Sequence, residues 1–507
     1  MSDIGERLAE LERLGLNRRL RLISGPQGPT VLLDGRPVLL LCSNNYLGLA
    51  DHPSIREAAA DAAMRWGVGA GASRLVSGTM TIHRRLEESL AEFEGSEACI
   101  LFGSGYLANL GVISALAGRG QTVYSDELNH ASIIDGCRLS RAEVVVYKHG
   151  DVEHLRWCMD RVGDGDDGLI VTDSVFSMDG DIAPLAELCV LARSRGARIV
   201  VDEAHATGNL GPGGRGAVAE AGLTDEVDVV VGTLGKALGS YGAYACASRE
   251  MVRLLINCAR PLIFSTAPPP PAVAGALAAL ELLRERPQRV ARLRSAAMVL
   301  RQCLAGEGFP VQPGEMHIIP LIVGAEDTAM RLCQEAIERG VFAQAIRPPT
   351  VPAGTSRLRL TVMASHSHAE LQRAARALGD AARAIGLDPA GAPGTELASE
   401  FAWEDAGDEP SPGRRPAPDP VQAAIEREAF PARGRAGAAP FAGDWDLEPD
   451  VWEPARAARG ERDATAPFDV EREPIGEAFS FDELPRLEGP EGAPFDFERD
   501  VSRDLAA

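Results

Sequence analysis

Residues 227–239 of this 507-residue chain read VDVVVGTLGKALG, an apolar run followed by small residues around Lys236. Lysine is scarce in the sequence, which contains two lysines and 49 arginines. Arginine would serve wherever positive charge alone is needed, but its guanidinium stays protonated and cannot form a Schiff base. Lys236 is therefore a candidate for amine chemistry on a carbonyl group or an aldehyde cofactor. The alternative interpretation is an ordinary surface lysine, which suits Lys148 better because its surroundings resemble a loop.

Seven short apolar runs have the length and composition of buried strands, and helical stretches separate most of them. The predicted strands are Ala98–Phe102, Thr122–Tyr124, Val144–Tyr147, Leu169–Thr172, Ile199–Val201, Val227–Val231 and Tyr244–Ala247. Nearly continuous Val/Ile/Leu runs that alternate with helices indicate a mostly parallel sheet with both faces covered. The sequence therefore predicts an α/β fold with a large, mostly parallel seven-stranded sheet.

The sequence on either side of this sheet predicts smaller elements. We expect a helix over 5–20, strands at Val31–Leu33 and Val38–Cys42, a helix from Ala272 to about Glu285, and a small α+β unit over 290–386. We divide the chain into an N-terminal segment, 1–45, that joins the small domain, a large domain, 46–289, a small C-terminal domain, 290–388, and a tail, 389–507.

The tail differs from the rest of the chain in composition. From Gly391 onward it contains 28 acidic and 12 basic residues, so it carries most of the net charge of −22. It is rich in proline, alanine and glycine without sustained periodicity, which predicts disorder. Ala-Pro-Phe recurs at 439–441, 466–468 and 493–495. The tail is interpreted either as a solubilising extension or as a set of short docking motifs.

Composition also limits the function. The first 390 or so residues are only mildly acidic, which argues against nucleic acid as a partner. All nine cysteines lie there without a Cys-x-x-Cys pair, so we expect reduced thiols, no metal site and a cytoplasmic protein. Residues 1–6 lack the features of a signal peptide, and no apolar run is long enough to predict a membrane helix.

Polar residues follow the predicted strands, where open α/β sheets place their ligand sites. The segments are 103–106 (GSGY), 125–132 (SDELNHAS), 173–181 (DSVFSMDGD), 202–208 (DEAHATG) and 233–236 (TLGK). The first is a small-residue turn that opens a helix and suits a phosphate. Asp202 closes a buried strand, where a carboxylate needs a cationic partner such as a pyridinium N–H. Each signal is weak alone, but together they match what pyridoxal 5′-phosphate requires, including its Schiff-base lysine.

Several long tracts make this match more specific. They are 43–49 (SNNYLGL), 128–132 (LNHAS), 175–181 (VFSMDGD), 202–208 (DEAHATG) and 233–236 (TLGK). On these tracts the chain resembles the α-oxoamine synthase family of fold-type I pyridoxal-phosphate enzymes over about residues 5–386. The resemblance implies a homodimer with active sites at the interface, to which the loop 67–73 contributes.

The resemblance also implies roles for individual residues. Lys236 would bind the cofactor covalently, Asp202 would pair with its pyridinium nitrogen, and His130 would stack on its ring and orient substrate. Further cofactor contacts would come from Gly105, Tyr106, Ser177, His205 and Thr233. Substrate would be bound by Asn44, Thr350 and Arg359, the last as a clamp on the amino-acid carboxylate. Arg18, with Arg19 and Arg21 as alternatives, would meet the free carboxylate of the acyl substrate.

Members of this family join an amino acid to an acyl thioester and release carbon dioxide. Residues 345–361 (AIRPPTVPAGTSRLRLT) resemble the branch that makes 8-amino-7-oxononanoate from L-alanine and pimeloyl-CoA or pimeloyl-carrier protein, in biotin biosynthesis. A glycine- or serine-using condensing enzyme remains the alternative within the family. A catalytically inactive scaffold that works through its tail is the alternative outside it.

Overall fold

The computed structural model describes residues 3–13, 17–162 and 168–393. Its first elements are helix α1 (Ile4–Arg13) and strands β1 (Ile23–Ser24), β2 (Thr30–Leu33) and β3 (Arg36–Leu40). Asp34 and Gly35 both have positive φ, 49° and 82°, which is the Asp-Gly turn that joins β2 to β3. The predicted helix over 5–20 is too long, because residues 17–22 have no regular structure.

The central part of the chain alternates helices and strands. Its helices are α2 (Pro53–Trp66), α3 (Thr81–Glu94), α4 (Gly105–Leu116), α5 (Ala131–Ser140), α6 (Val152–Val162), α7 (Leu185–Arg195), α8 (Ala217–Glu220), α9 (Arg249–Cys258), α10 (Arg260–Ile263) and α11 (Pro270–Glu285). Its strands are β4 (Ala98–Phe102), β5 (Thr122–Asp126), β6 (Glu143–Tyr147), β7 (Leu169–Asp173), β8 (Arg198–Asp202), β9 (Val229–Thr233) and β10 (Ala243–Ala247).

These seven strands form one sheet in the order β4-β10-β9-β8-β7-β5-β6. All neighbours are parallel except β10, which is antiparallel to both β4 and β9. The predicted α/β fold with a mostly parallel seven-stranded sheet is therefore confirmed. Since β5, β7, β8 and β9 run in the same direction, their carboxyl ends, with Asp126, Asp173, Asp202 and Thr233, meet at one edge.

Both faces of this sheet are buried, as continuous apolar strands require. Successive residues of β4 show this, because Leu101 packs in one core cluster and Phe102 in the other. Helices α4, α5, α9 and α10 cover the second face, whereas α3, α7 and α11 cover the first. The sheet is thus held rigidly, and its edge can position side chains accurately.

The remaining elements form two smaller sheets. They comprise α12 (Gln288–Gly306), β11 (Ile318–Gly324), α13 (Glu326–Glu338), β12 (Val341–Phe342), β13 (Gln344–Ile346), β14 (Ser356–Thr361) and α14 (His368–Ala384). One sheet has the order β11-β14-β13, and the other joins the N-terminal strands to β12 in the order β1-β2-β3-β12. The parallel pairing of β3 with β12 supports the proposed joining of the N-terminal segment to the small domain. The domain boundaries themselves stay predictions.

Several boundaries differ from those predicted; the N-terminal strand predicted at Val38–Cys42, for example, runs from Arg36 to Leu40. The long helix α11 begins at Pro270 rather than Ala272, because proline fits the first turn of a helix, where N–H groups have no partner. Strand β9 is shifted by two residues and ends at Thr233. The predicted tail, 389–507, lies outside the described residues from 394 onward, and a short 3-10 turn at Pro389–Gly391 precedes it. None of the helices in the described ranges could cross a membrane.

Candidate active site

Lys236 lies in the turn after β9, at the carboxyl edge of the large sheet. A hydrogen bond from Gly239 N to Lys236 O closes this turn. Gly239 has φ 62°, and a Cβ there would lie 2.5 Å from Ala50 N, so the turn requires glycine to pack against the chain. The glycine-rich surroundings of Lys236 are therefore explained by close backbone packing, which fixes where the side chain begins.

The amine of Lys236 is 2.8 Å from Nε2 of His205. Burial lowers the pKa of Lys236 to about 8, although the carboxylates of Asp202 and Asp173 act in the opposite direction. A usable fraction of this amine is therefore neutral near neutral pH, as attack on a carbonyl and proton abstraction both require.

Two buried carboxylates lie beside this amine at the ends of adjacent strands. Asp173 of β7 and Asp202 of β8 are partners in the sheet register. Asp202 accepts hydrogen bonds from Asn109 Nδ2 at 2.6 Å and from Ala204 N at 2.8 Å. Burial and the neighbouring Asp202 charge raise the pKa of Asp173 well above its usual range. A cation placed against Asp202 would offset the cost of burying this pair.

A helix N-terminus and Thr233 form a second part of the site. Ser104 caps α4, with its Oγ accepting from Leu107 N, and Gly105 and Tyr106 are the first residues of the helix. A Cβ built on Gly105 would lie 3.9 Å from Cβ of Thr233, so Gly105 and the end of β9 face each other closely. The unpaired N–H groups of a helix N-terminus and a threonine hydroxyl are ordinary ligands of a phosphate group.

His130 marks the open side of this edge. It caps helix α5, its Nδ1 accepting from Ser132 N, and its backbone N–H donates to Asp173 at 2.7 Å. The residue is exposed, as is Tyr106, whose hydroxyl is hydrogen bonded to Asp135. A flat ring that enters the edge between Asp202 and solvent would therefore meet the imidazole of His130.

Arg359 gathers three further segments. This buried residue of β14 donates to Ser177 O, to Asn44 Oδ1 at 3.3 Å and to Tyr46 Oη at 3.2 Å. Tyr46 Oη lies 2.7 Å from Nδ1 of His205, whose other ring nitrogen contacts Lys236. A continuous line of hydrogen bonds thus links the small-domain arginine to the amine.

Comparison with known proteins identifies the family that builds this arrangement. Residues 36–378 match the profile of aminotransferase class I and II proteins. The chain belongs to that family. The 8-amino-7-oxononanoate synthase of Geobacter sulfurreducens is 51% identical over 388 residues, which cover 76% of this chain and 99% of the relative. That of Anaeromyxobacter dehalogenans is also 51% identical, covering 76% and 97%.

Solved structures of related enzymes share the fold of this aminotransferase-family chain. Sphingomonas wittichii serine palmitoyltransferase superposes with a TM-score of 0.72 at 35% identity, covering 76% of this chain and 97% of that one. The 8-amino-7-oxononanoate synthase of Francisella tularensis has a TM-score of 0.59 at 26% identity, covering 69% and 99%. The predicted recognition is confirmed, and the chain is a pyridoxal-phosphate enzyme of fold type I.

The residues present fit this cofactor. Lys236 supplies an amine of lowered pKa, Asp202 a buried carboxylate without an ionic partner among the described contacts, and α4 with Thr233 a phosphate cradle. Within the family site we therefore expect Asp202 at the pyridine nitrogen, Gly105, Tyr106 and Thr233 at the phosphate, and Ser177 and His205 beside the ring. These individual roles stay predictions.

Two other predicted residues are exposed. Thr350 is exposed, just after the cis peptide bond between Pro348 and Pro349. Arg18 is also exposed, and in the described part of the chain neither side chain is hydrogen bonded to the Lys236 cluster. The backbone carbonyl of Asn17 accepts from Arg347, so the arginine-rich segment contacts the stretch that carries the resemblance to one branch of the family.

Sequence reasoning missed four residues of this family site. Tyr46 lies inside the tract 43–49 but had no assigned role. Asn109 follows Gly105 at one helical turn, which gives a usable signal, and Asp173 ends its strand as Asp202 does. His317 gave no signal, yet it is buried with its ring 4.2 Å from that of Tyr46. Its pKa falls to about 3 because of burial, so the ring stays neutral.

Proposed function

We propose that this chain condenses L-alanine with pimeloyl-CoA or pimeloyl-carrier protein to give 8-amino-7-oxononanoate and carbon dioxide, in biotin biosynthesis. The observation that carries the proposal is 51% identity to a synthase of that name over 99% of its length. The set of polar groups around Lys236 supports it, because an inactive scaffold needs neither an amine of lowered pKa nor a cradle for a phosphate.

Bound pyridoxal phosphate supplies an electron-withdrawing ring conjugated to the α-carbon of the amino acid. Asp202 holds a proton on the ring nitrogen, since the buried carboxylate is best satisfied by a cationic N–H. The Lys236 amine, with its pKa near 8, takes the α-proton and later returns one. His205, 2.8 Å from Nζ, keeps that amine directed at the reacting atom.

Arg359 binds the carboxylate of the amino acid. Its guanidinium is buried, and its present partners, Ser177 O, Asn44 Oδ1 and Tyr46 Oη, are all neutral groups. A carboxylate forms stronger, bidentate hydrogen bonds with an arginine fork than these groups do. Arg18 is the proposed partner of the carboxylate at the far end of the acyl chain, with Thr350 in the substrate site.

A direct assay tests the substrate assignment. Purified chain is loaded with cofactor, and CoA and carbon dioxide release are measured with alanine, glycine and serine, each against pimeloyl-CoA and a short acyl-CoA. We expect alanine with pimeloyl-CoA to be fastest. The solved neighbours with higher TM-scores are serine palmitoyltransferases, so serine is the competing substrate. Faster turnover of serine or glycine would contradict the proposal.

We further propose that the active unit is a homodimer. Val68, Leu75, Val76 and Phe264 are strongly exposed apolar residues. Two of their segments adjoin, because Ser73 bridges to Thr266 and Ala267 N donates to Ala72 O. Strongly exposed apolar residues on adjoining segments are typical of a protein interface. In the dimer, the loop 67–73 would reach the site of the partner subunit.

A further inference from the structure

A line of four side chains connects His130 to Asp202. Nδ1 of His130 lies 2.7 Å from Oγ of Ser132, and that oxygen is 2.9 Å from Nδ2 of Asn109. The same Nδ2 is 2.6 Å from Oδ2 of Asp202. Asn109, Ser132 and Asp202 are all buried, so these hydrogen bonds do not compete with water.

The direction of each hydrogen bond follows from Asp202. A carboxylate only accepts, so Asn109 must present its amide nitrogen to Asp202. This orientation leaves Asn109 Oδ1 buried without a partner among the described contacts, which costs free energy. The opposite orientation would be worse, because it would place the amide oxygen against a carboxylate oxygen, and two acceptors repel each other. The second N–H of that nitrogen donates to Ser132 Oγ.

The hydroxyl of Ser132 is then left with one direction for its proton. Since its oxygen accepts from Asn109, its hydrogen donates to Nδ1 of His130. The backbone N–H of Ser132 points to the same Nδ1 at 3.2 Å. A ring nitrogen that accepts from two donors carries no proton, so the neutral imidazole has its hydrogen on Nε2.

We propose that Ser132 and Asn109 are positioning residues that hold His130 as the neutral Nε2–H tautomer. His130 therefore presents an N–H donor, not a lone pair, on its open side, and it does not act as a base. The same amide holds the carboxylate of Asp202, so Asn109 helps to fix both the group expected at the ring nitrogen and, through Ser132, the imidazole expected on the ring face. The tautomer does not depend on the acyl substrate, although its use in catalysis rests on the proposed function.

The charges around His130 agree with a neutral ring. The titratable groups that face it are Asp202 of β8, Asp173 of β7, Asp135 on its own helix, and Lys236 and His205 from the turns after β9 and β8. Although the residue as a whole is exposed, the partial burial of its ring lowers the pKa of His130 below its usual value, with Lys236 acting in the same direction and Asp202 and Asp135 opposing. A donor to Nδ1 also favours the neutral form, so its removal should raise this pKa.

The test compares Ser132→Ala with Ser140→Ala in the full chain, before and after cofactor loading. Ser140 lies on the same helix and is also buried, but its hydroxyl donates to Cys137 O and does not touch the line to Asp202. The ring nitrogens of His130 are followed by 15N NMR, with its signals assigned by their loss in His130→Gln. In the wild type we expect unprotonated Nδ1 and protonated Nε2 at neutral pH.

In Ser132→Ala the pKa of His130 should rise by about one unit, the usual effect of one lost hydrogen bond. Ser140→Ala should leave the pKa of His130 unchanged. Asn109→Ala should produce a smaller rise. The double variant should match Ser132→Ala alone, because Asn109 contacts His130 only through Ser132 and its other partner, Asp202, keeps its charge in the variant.

Several outcomes would overturn the proposal. A protonated Nδ1 in the neutral wild-type ring does so directly, even where a variant fails to fold. Equal effects of Ser132→Ala and Ser140→Ala, or additive effects of Ser132→Ala and Asn109→Ala on the pKa of His130, do so as well. Failure of the alanine assay would remove the proposed function and leave the NMR result standing.

Discussion

At the scale of single residues, Lys236 is the group that no other side chain replaces. Arginine in its position would keep the positive charge but could not bind an aldehyde or take a proton. We predict that Lys236→Arg abolishes both the covalent attachment of the cofactor and turnover. Covalent attachment is measured by the absorbance band of the lysine–cofactor adduct in the purified chain, and turnover is measured by CoA release.

Lys148→Arg provides the matched control, because Lys148 is the other lysine and is exposed. Its spectrum and turnover should equal those of the wild type. Substantial CoA release by Lys236→Arg would show that another group takes the proton, and the assignment of the amine would be wrong.

Glu94 lies in the core and offers a test of pH-dependent stability. Burial raises its pKa to about 8, with the Glu203 charge adding to the shift and the Tyr244 hydroxyl opposing it. The folded chain then holds a proton that the unfolded chain releases above its ordinary pKa of 4.5. This group's stabilising contribution is therefore complete below about pH 4.5 and is lost as the pH rises to about 8.

Glu94→Gln removes this titration and keeps an oxygen that can accept from Tyr244, now 2.5 Å from the carboxylate. We predict that the wild type loses about a few kcal/mol of unfolding free energy between pH 6 and pH 9 that Glu94→Gln keeps. Urea unfolding at the two pH values measures it. A difference that does not vary with pH would mean that Glu94 is ionised in the folded chain.

The sequence predicted the residues of the Lys236 site that follow strands, because strand ends can be read from the chain. Lys236, Asp202, His205 and His130 are all predicted in this way, and their individual roles stay predictions. Tyr46 and His317 were not, since Tyr46 meets His205 across 159 positions of the chain and His317 meets Tyr46 across the small domain. Such contacts depend on tertiary packing, which no local pattern encodes.

At the scale of elements, one ion pair ties β14 to the segment after β7. Arg357 is almost fully buried and is paired with Asp179, two residues from Ser177, while Thr355 accepts from the same guanidinium. We predict that Asp179→Ala destabilises the chain by about 3–5 kcal/mol, because it leaves a buried guanidinium without its partner. Urea unfolding measures the change.

Asp380→Ala is the control, since it removes a partner of Arg383 in a pair whose side chains are both about half exposed. It should cost less than about 1 kcal/mol. Arg357→Leu combined with Asp179→Ala should recover part of the loss, because no charge then remains buried. Equal losses of stability in Asp179→Ala and Asp380→Ala would show that the buried Arg357–Asp179 pair stabilises the chain no more than an exposed pair does.

Elements with strong local patterns were predicted well, and those set by distant partners were not. All seven strands of the large sheet were found, because buried parallel strands are continuous Val/Ile/Leu runs. Strand β12 has two residues and forms through its pairing with β3, some 300 positions earlier, so no local pattern indicates it. The end of α1 at Arg13 was also missed.

At the scale of the whole molecule, the exposed apolar surface predicts the assembly. Val76 is 79% exposed and Phe264 71% exposed. We predict that the wild-type chain sediments as a dimer, and that Val76→Glu or Phe264→Glu weakens the dimer and lowers turnover together. Both effects follow from placing a charge in an apolar interface and from the loop 67–73 serving the partner's site.

Val190→Glu makes the same change at a residue that is 63% exposed on α7, a helix that does not belong to the segments of this surface. It should leave sedimentation and turnover unaltered. A wild type that sediments as a monomer with full turnover would contradict the proposed dimer.

The scarcity of lysine has a consequence for how the chain is loaded. An aldehyde reacts with any accessible neutral amine, and most protein surfaces carry many lysines that compete for it. Here Lys148 is the only side-chain competitor of Lys236. The specificity of cofactor attachment is therefore set partly by what the surface lacks. Borohydride reduction of the loaded chain should fix about one equivalent, at a single peptide.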